Sequence, residues 1–336
     1  MAPNTPDTPN TPNAPAPPGI QGTPYGPRID SHQHFWRTAA QEQPWRHAEH
    51  TALARDFTPA DLVTELDASG VGASVLVQSV DEPEENTRLA GYGAHPRVAG
   101  VVAWLPLKDP AAARTALDQL AVPKLAGVRC LVADDPLGRL TGRESLALFA
   151  ELARRSLVWD VVPVTAEQTR QVVRLAEAVP GLRVTVDHLG RPPVESGAWE
   201  PWASHMRRLA ACPNVAVKVS VGIDALSAWD AWDAGALERY VRFTAEHFGP
   251  DRMMLASNWP VVLLRAGYGR AWGDLAALVA AVCPDEAARA AVLGGTASRW
   301  YGLDRHAPGG TAHPTPPAPP THPAPTTPPT GPSETP

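Results

Sequence analysis

LVWDVVPVTAEQTRQVVRLAEAVPGLRVTVDHLG, residues 157–190, contains two kinds of periodicity. LVWDVVPV (157–164) and RVTVDHLG (183–190) are short and β-branched, and LVWDVVPV is apolar on both faces, as strands of a covered parallel sheet are. Between them, AEQTRQVVRLAEAVPG (166–181) carries apolar residues at helical spacing and closes at a glycine. The stretch reads as strand, helix, strand. The same alternation extends both ways, with apolar runs at RIDSHQHF (28–35), ASVLVQSV (73–80), VAGVVAWLPL (98–107), LAGVRCLV (125–132), VAVKVSVG (215–222) and RMMLASNWP (252–260). TPADLVTELDASG (58–70) begins with Thr58 as an N-cap and Pro59 at the first helical position, and ends at Gly70. GALERYVRFTAEHFG (235–249) is a further amphipathic helix ending at glycine. Eight strands alternating with helices over about 275 residues match the (β/α)₈ TIM barrel in count and size. A doubly wound open sheet is the alternative, weakened because no GxGxxG or GxxxxGK follows the first strand.

The prolines mark the limits of the folded unit. Of 38 prolines, nine fall within residues 1–27 and twelve within residues 306–336, among Thr, Asn, Ala and Gly. Such segments bury too little apolar surface to offset their conformational entropy, so disordered tails are expected at 1–27 and 304–336, flanking a barrel over 28–303. A Pro-rich tail is either an inert extension or a docking ligand for aromatic grooves. A formal net charge of -6 leaves no basic footprint for nucleic acid or an anionic membrane. No apolar run reaches the length of a membrane span, and no secretory signal opens the chain, so a cytoplasmic protein is expected. Cys130, Cys212 and Cys283 are odd in number and far apart, which argues against a disulfide framework or a thiolate zinc site.

In a barrel of this kind the chemistry lies at the C-terminal ends of the strands. The polar residues of the apolar runs collect there: His32 and His34, Gln78 and Ser79, Arg129, Asp160, Asp187 and His188, Lys218 and Ser220, then Ser257 and Asn258. A buried polar group needs a partner or a ligand. Side chains alternate along a strand, so His32 and His34 point the same way and both imidazoles can reach one metal ion. Trp36 and Trp259 adjoin these segments and are expected to line the pocket, although packing under loops explains a tryptophan equally well. Lys218 is expected deep in the barrel as a charge partner, and the glutamates of EPEEN (82–86) as the start of a helix.

RIDSHQHFW (28–36), VDHLGRP (186–192), VKVS (217–220) and FGPDRMMLASNWPV (248–261) resemble the amidohydrolase-related family, and more narrowly its sugar-lactone hydrolase branch of the L-fuconolactonase and L-rhamnonolactonase type. Weaker echoes at RDFTPADL (55–62), LVQSV (76–80), VVAWLPL (101–107), AGVRCLV (126–132) and SRWYGL (298–303) extend the likeness over nearly the whole folded unit. The resemblance implies that His32 and His34 bind a divalent metal, zinc first and mononuclear, although other members of that branch work without one. It implies that His188 polarises the substrate carbonyl or helps to hold the metal, and that Arg129 faces the polar groups of a small-molecule substrate. Asn258 stands where the lactonases usually carry an aspartate, the expected base for the attacking water. Ala256 replaces the glycine that usually opens that motif, and Thr296-Ala297 replaces a usual Asn-Ala.

The change at 258 bears on mechanism, because an amide does not accept a proton from water. A metal on His32, His34 and His188 could lower the pKa of the water while Asn258 orients it. Asp160 or Asp187 could supply the base, although strand alternation then turns Asp187 towards the helices if His188 faces inward. Catalysis could also be lost. The expected function is therefore hydrolysis of a small lactone, most simply a sugar lactone, with Gln78, Asp160, Arg129, Trp36 and Trp259 around the substrate. Decarboxylation or amide hydrolysis on the same barrel, and a non-catalytic barrel that binds a small molecule, remain as alternatives.

Overall fold

A computed structural model describes residues 28–306. The expected tails lie outside the described residues except for 304–306, which complete a 3₁₀ turn over Leu303–His306. Asp304 is tied down there by the Ser298 hydroxyl, which donates to it at 2.8 Å.

Eight parallel strands follow one another around a single sheet in chain order: β1 Ile29–Gln33, β2 Ala73–Val77, β3 Val98–Trp104, β4 Leu125–Arg129, β5 Val158–Val161, β6 Val184–Val186, β7 Val215–Val219 and β8 Met253–Leu255. Between and after them run α1 Pro59–Ala68, α2 Glu84–Gly93, α3 Pro110–Gln119, α4 Arg143–Arg154, α5 Ala166–Ala178, α6 Trp202–Ala210, α7 Ile223–Ala228, α8 Glu238–Phe248, α9 Tyr268–Val282, α10 Glu286–Ala290 and α11 Thr296–Tyr301. This is the expected (β/α)₈ barrel. The helix signals act as read: Asp61 accepts from the Thr58 amide at 2.8 Å and its hydroxyl at 2.6 Å, and Gly70 takes a left-handed φ of 63°. The strands are shorter than the apolar runs. β6 stops at Val186 and β8 at Leu255, so the polar residues at the ends of these runs stand on the loops beyond.

The seam between β1 and β8 closes at the site end. The His34 amide donates to the Trp259 carbonyl at 2.8 Å, and the Asn258 amide donates to the His32 carbonyl at 3.0 Å. Below the seam Asp30 faces outward and accepts from the Ser257 amide at 2.9 Å and hydroxyl at 2.5 Å. Burial pushes its carboxyl up to about 6 even so. Between Asp30 and Gln33 the β1 register slips by one residue against β2, a bulge that re-aims the following side chains.

The core has two layers. Val101, Val128, Trp159, Val184, Val217 and Leu255 face the helices. Val75, Ala126, Val158, Ala216 and Met254 fill the barrel, closed from below by Ala297, Tyr301 and Leu303. All three cysteines are free and buried. No helix among the described residues is long and apolar enough to cross a membrane.

Candidate active site at the barrel mouth

The side chains of His32 and His34 do point the same way, with their Nε2 atoms 3.1 Å apart. The His34 Nδ1–H donates to the Val77 carbonyl at 2.8 Å, so its Nε2 presents a lone pair towards His32. His188 lies against them, its ring centroid 4.7 Å from that of His32, and its Nδ1 bonds the Ser220 hydroxyl at 2.9 Å. Each imidazole is thus anchored through Nδ1. Burial drives the His34 imidazole down to about 3, with Arg129 adding to the effect, and drives His32 and His188 well below the ordinary histidine range. All three are neutral at physiological pH.

Beneath the imidazoles lies a fully buried chain of charges. Lys218 Nζ donates to Asp160 Oδ2 at 2.6 Å and stands 3.0 Å from Asp187 Oδ1 and 3.1 Å from His32 Nδ1. The Tyr301 hydroxyl, from α11, donates to Asp160 from below at 2.8 Å. Arg129 Nη1 lies 3.3 Å from His32 Nε2 and 3.5 Å from Asp187 Oδ2. With the imidazoles neutral, two carboxylates balance two cations. Burial raises Asp187, but the charges of Lys218, His32 and Arg129 outweigh it and hold the carboxyl well below the usual range. Asp160 ends the other way, pushed up to about 6 by burial that Lys218 offsets only in part.

Asp187 corrects one expectation. Its Oδ1 faces His32 Nδ1 at 3.2 Å, so it points into the barrel and not at the helices. Thr185 and Asp187 share the inward parity of β6, and parity would send His188 outward. His188 turns back to the mouth because its backbone is left-handed, φ 55°, as is that of Leu189, φ 52°. Strand alternation therefore fails two residues past the strand.

Asp187 and Lys218 both contest His32 Nδ1, and the outcome sets the tautomer. If the Nδ1–H donates to Asp187, the Nε2 lone pairs of His32 and His34 face each other across 3.1 Å. A shared cation relieves that opposition. If Lys218 donated to Nδ1, the proton on Nε2 would face the Arg129 guanidinium at 3.3 Å, which can only donate, so the tautomer protonated at Nδ1 is the one this contact favours. His32, Asp187 and His188 each offer a ligand atom within 4.8 Å of the other two, and Asp187 Oδ2 is buried without a hydrogen-bond partner among the described residues. Two imidazoles with partners at Nδ1 and a carboxylate oxygen that makes no hydrogen bond among the described residues fit a divalent ion. Asp187 joins His32 and His188 in this group, while His34, expected among the metal ligands, lies outside it.

Over the imidazoles opens a cavity of about 220 Å³, lined by His34, His188, Arg129, Gln78, Asn258 and Trp45, with Val132, Val162, Val164 and Val261 on its apolar side. Asn258 is 2 % exposed and left-handed at φ 57°, a conformation asparagine tolerates. Its Nδ2 donates to the Val221 carbonyl at 2.8 Å, leaving Oδ1 as the free atom. Gln78 donates from Nε2 to Asp81 at 3.3 Å, while its Oε1 is buried and unpartnered among the described residues. Asp81 also accepts from the Leu131 amide at 2.9 Å, which ties the β2 loop to the β4 loop.

Three expected substrate contacts fall elsewhere. Trp36 and Trp259 are fully buried, packed edge-on against Phe57 at 5.2 Å each, and Trp36 donates to the Arg55 carbonyl. Their large rings fill the space under the β1–α1 loop; Trp45, on that loop, reaches the cavity instead, with its Nε1 donating to the Ser79 carbonyl at 2.7 Å. Asp160 sits a layer below the imidazoles, spent on Lys218 and Tyr301. Lys218 is the deep charge partner expected. Glu84 and Glu85 do begin α2, but Glu85 is also buried, and it accepts from the Ser79 amide at 2.7 Å and from Gln41 at 2.8 Å. It pins the loop that carries Trp45, a role the EPEEN run did not signal.

An L-fucono-1,5-lactonase of Burkholderia ambifaria is 35% identical over 300 residues, 85% of this chain and 98% of that protein. Another L-fucono-1,5-lactonase, from Burkholderia multivorans, is 33% identical over 82% of this chain and 96% of its own. The crystal structure of a Burkholderia multivorans amidohydrolase with zinc bound superposes with a TM-score of 0.72 at 32% identity, over 82% of this chain and 99% of that one. The amidohydrolase family profile matches residues 29–303, the whole barrel, and the chain belongs to that family.

Proposed function

We propose that this protein hydrolyses a sugar lactone at the C-terminal mouth of its barrel. The observation that carries the reading is the packing of three neutral imidazoles at the barrel mouth, of which His34 and His188 line a cavity of about 220 Å³ and His32 lies against both. The relatives named as lactonases support the reaction class.

In the reaction, water adds to the lactone carbonyl carbon, the bond to the ring oxygen breaks, and that oxygen leaves with a proton as a hydroxyl. His32, His188 and Asp187 are the residues that would hold a divalent metal, with His34 beside them; it would supply Lewis acidity and lower the pKa of the nucleophilic water. Asn258 offers Oδ1 as an acceptor for the water and contributes no base. No carboxylate lines the cavity among the described residues, so the protein offers the water no carboxylate base there. Arg129 directs its guanidinium to the floor, where a carbonyl oxygen gains negative charge. Gln78 Oε1 takes a substrate hydroxyl.

The test is turnover of a panel of aldono-1,4- and aldono-1,5-lactones, followed by acid release, after chelation and after adding zinc or manganese. Hydrolysis that His188→Ala abolishes supports the reading. No hydrolysis of any lactone under any metal condition refutes it.

A further inference from the structure

We propose that Arg191 makes this chain selective for lactones carrying a second carboxylate, the monolactones of sugar diacids. The inference rests on the lactonase reading and adds the substrate class to it.

Arg191 lies three residues past His188 on the β6 loop, with a left-handed φ of 54°. It borders two cavities. One is the chamber over the imidazoles; the other, of about 190 Å³, lies between Pro192–Glu195 and the start of α7. His188 and Val164 also border both. The guanidinium thus stands at the junction of the two, beside the expected position of the lactone ring. A Cβ on Gly222 would lie 3.5 Å from His188 Cβ and 3.6 Å from Arg191 Cγ, so the β7–α7 loop packs directly against both residues.

Two observations give Arg191 a ligand. Its Nε is buried without a hydrogen-bond partner among the described residues, and a buried donor of this kind lacks an acceptor. Its Nη1 holds Asp224 at 2.8 Å, and the Asp224 side chain is 61% exposed. A partner so exposed is held weakly. Asp224 marks where a carboxylate sits and yields that place to a better one.

The chamber has matching charge. Arg129 and Arg191 both line it, and no carboxylate does among the described residues. A neutral sugar lactone presents hydroxyls, whose protons carboxylates accept well. This wall presents planar donor forks, which fit the two oxygens of a carboxylate.

The test uses matched substrates: glucono- against glucaro-1,4-lactone and galactono- against galactaro-1,4-lactone, each pair differing only in a terminal CH₂OH or carboxylate. The full-length protein is expected to prefer the carboxylated member in kcat/KM by about tenfold or more in at least one pair. Arg191→Gln is expected to reduce that preference at least about tenfold, chiefly through KM. Asp224→Asn, at an exposed position that leaves the fold intact, is expected to increase it, because the competing carboxylate is gone. Preference for the neutral member in every pair, or equal losses on both members in Arg191→Gln, overturns the proposal and leaves the lactonase reading standing. A preference that Asp224→Asn lowers overturns it as well. Turnover of no lactone at all overturns both.

Discussion

Replacing Lys218 by methionine isolates the energetics of the buried charges. The change keeps most of the side-chain volume and removes an ammonium lying 2.6 Å from Asp160, 3.0 Å from Asp187 and 3.1 Å from His32. All four side chains are fully buried. With neutral imidazoles the site balances Asp160 and Asp187 against Lys218 and Arg129, so the variant retains one uncompensated buried negative charge. Breaking a buried pair this way costs about 3–5 kcal/mol. In a domain of this size that is on the order of 10 °C in Tm. Urea unfolding followed by tryptophan fluorescence measures it directly. The pH dependence gives a second check. Asp160 is raised to about 6 in the native fold, above its value in the unfolded chain, so its contribution to stability is present at low pH and is lost as pH rises. Without Lys218 the carboxyl rises further, and protonation at low pH removes the unpaired charge. The destabilisation is therefore expected to be smaller at pH 5 than at pH 8. Adding Asp160→Asn to Lys218→Met should recover part of the loss at pH 8, since the Tyr301 hydroxyl still has an oxygen to bond. A loss below about 1 kcal/mol at pH 8, or one that grows on acidification, would refute the buried-charge argument.

Three further outcomes are expected. The ring C–H NMR shifts of His32, His34 and His188 in the metal-free protein should stay level from about pH 5 to pH 8, because burial drives His34 down to about 3 and holds His32 and His188 well below the ordinary range; a titration centred near 6.5 would contradict the neutral, desolvated imidazoles. Asn258→Asp would set a carboxylate oxygen against the Val221 carbonyl, where Nδ2 now donates at 2.8 Å. Denaturant melts should show a loss of about 1–3 kcal/mol at pH 8 and less at pH 5, where the carboxyl can be protonated and donate; unchanged stability at pH 8 would mean that the amide is turned the other way. Gln78→Leu removes the unpartnered acceptor in the chamber and should lower kcat/KM by about tenfold through KM, whereas a loss confined to kcat would place Gln78 on the reacting atoms.

The sequence by itself determined the barrel, through eight apolar runs alternating with capped helices and the collection of polar residues at their C-terminal ends. It also pointed to a common face for His32 and His34, from their two-residue spacing, and to a deep Lys218. Only the tertiary structure decided what happens past the strand ends. Asp187 reaches the mouth by continuing the inward parity of Thr185, and His188 joins it because the chain turns left-handed there, where parity no longer holds. Trp36 and Trp259 are packing while Trp45 reaches the chamber, because the sequence shows that a ring needs burial and not which of several rings a loop will cover. Tyr301 under Asp160, Asp81 behind Gln78 and Glu85 beneath Ser79 join residues far apart in the chain or turned into a loop, and no periodicity marks such pairs. Local spacing sets which way a side chain leaves a regular element. Its neighbours are set by closure of the barrel, which brings β8 beside β1 and makes one site of residues 32, 34, 188 and 258.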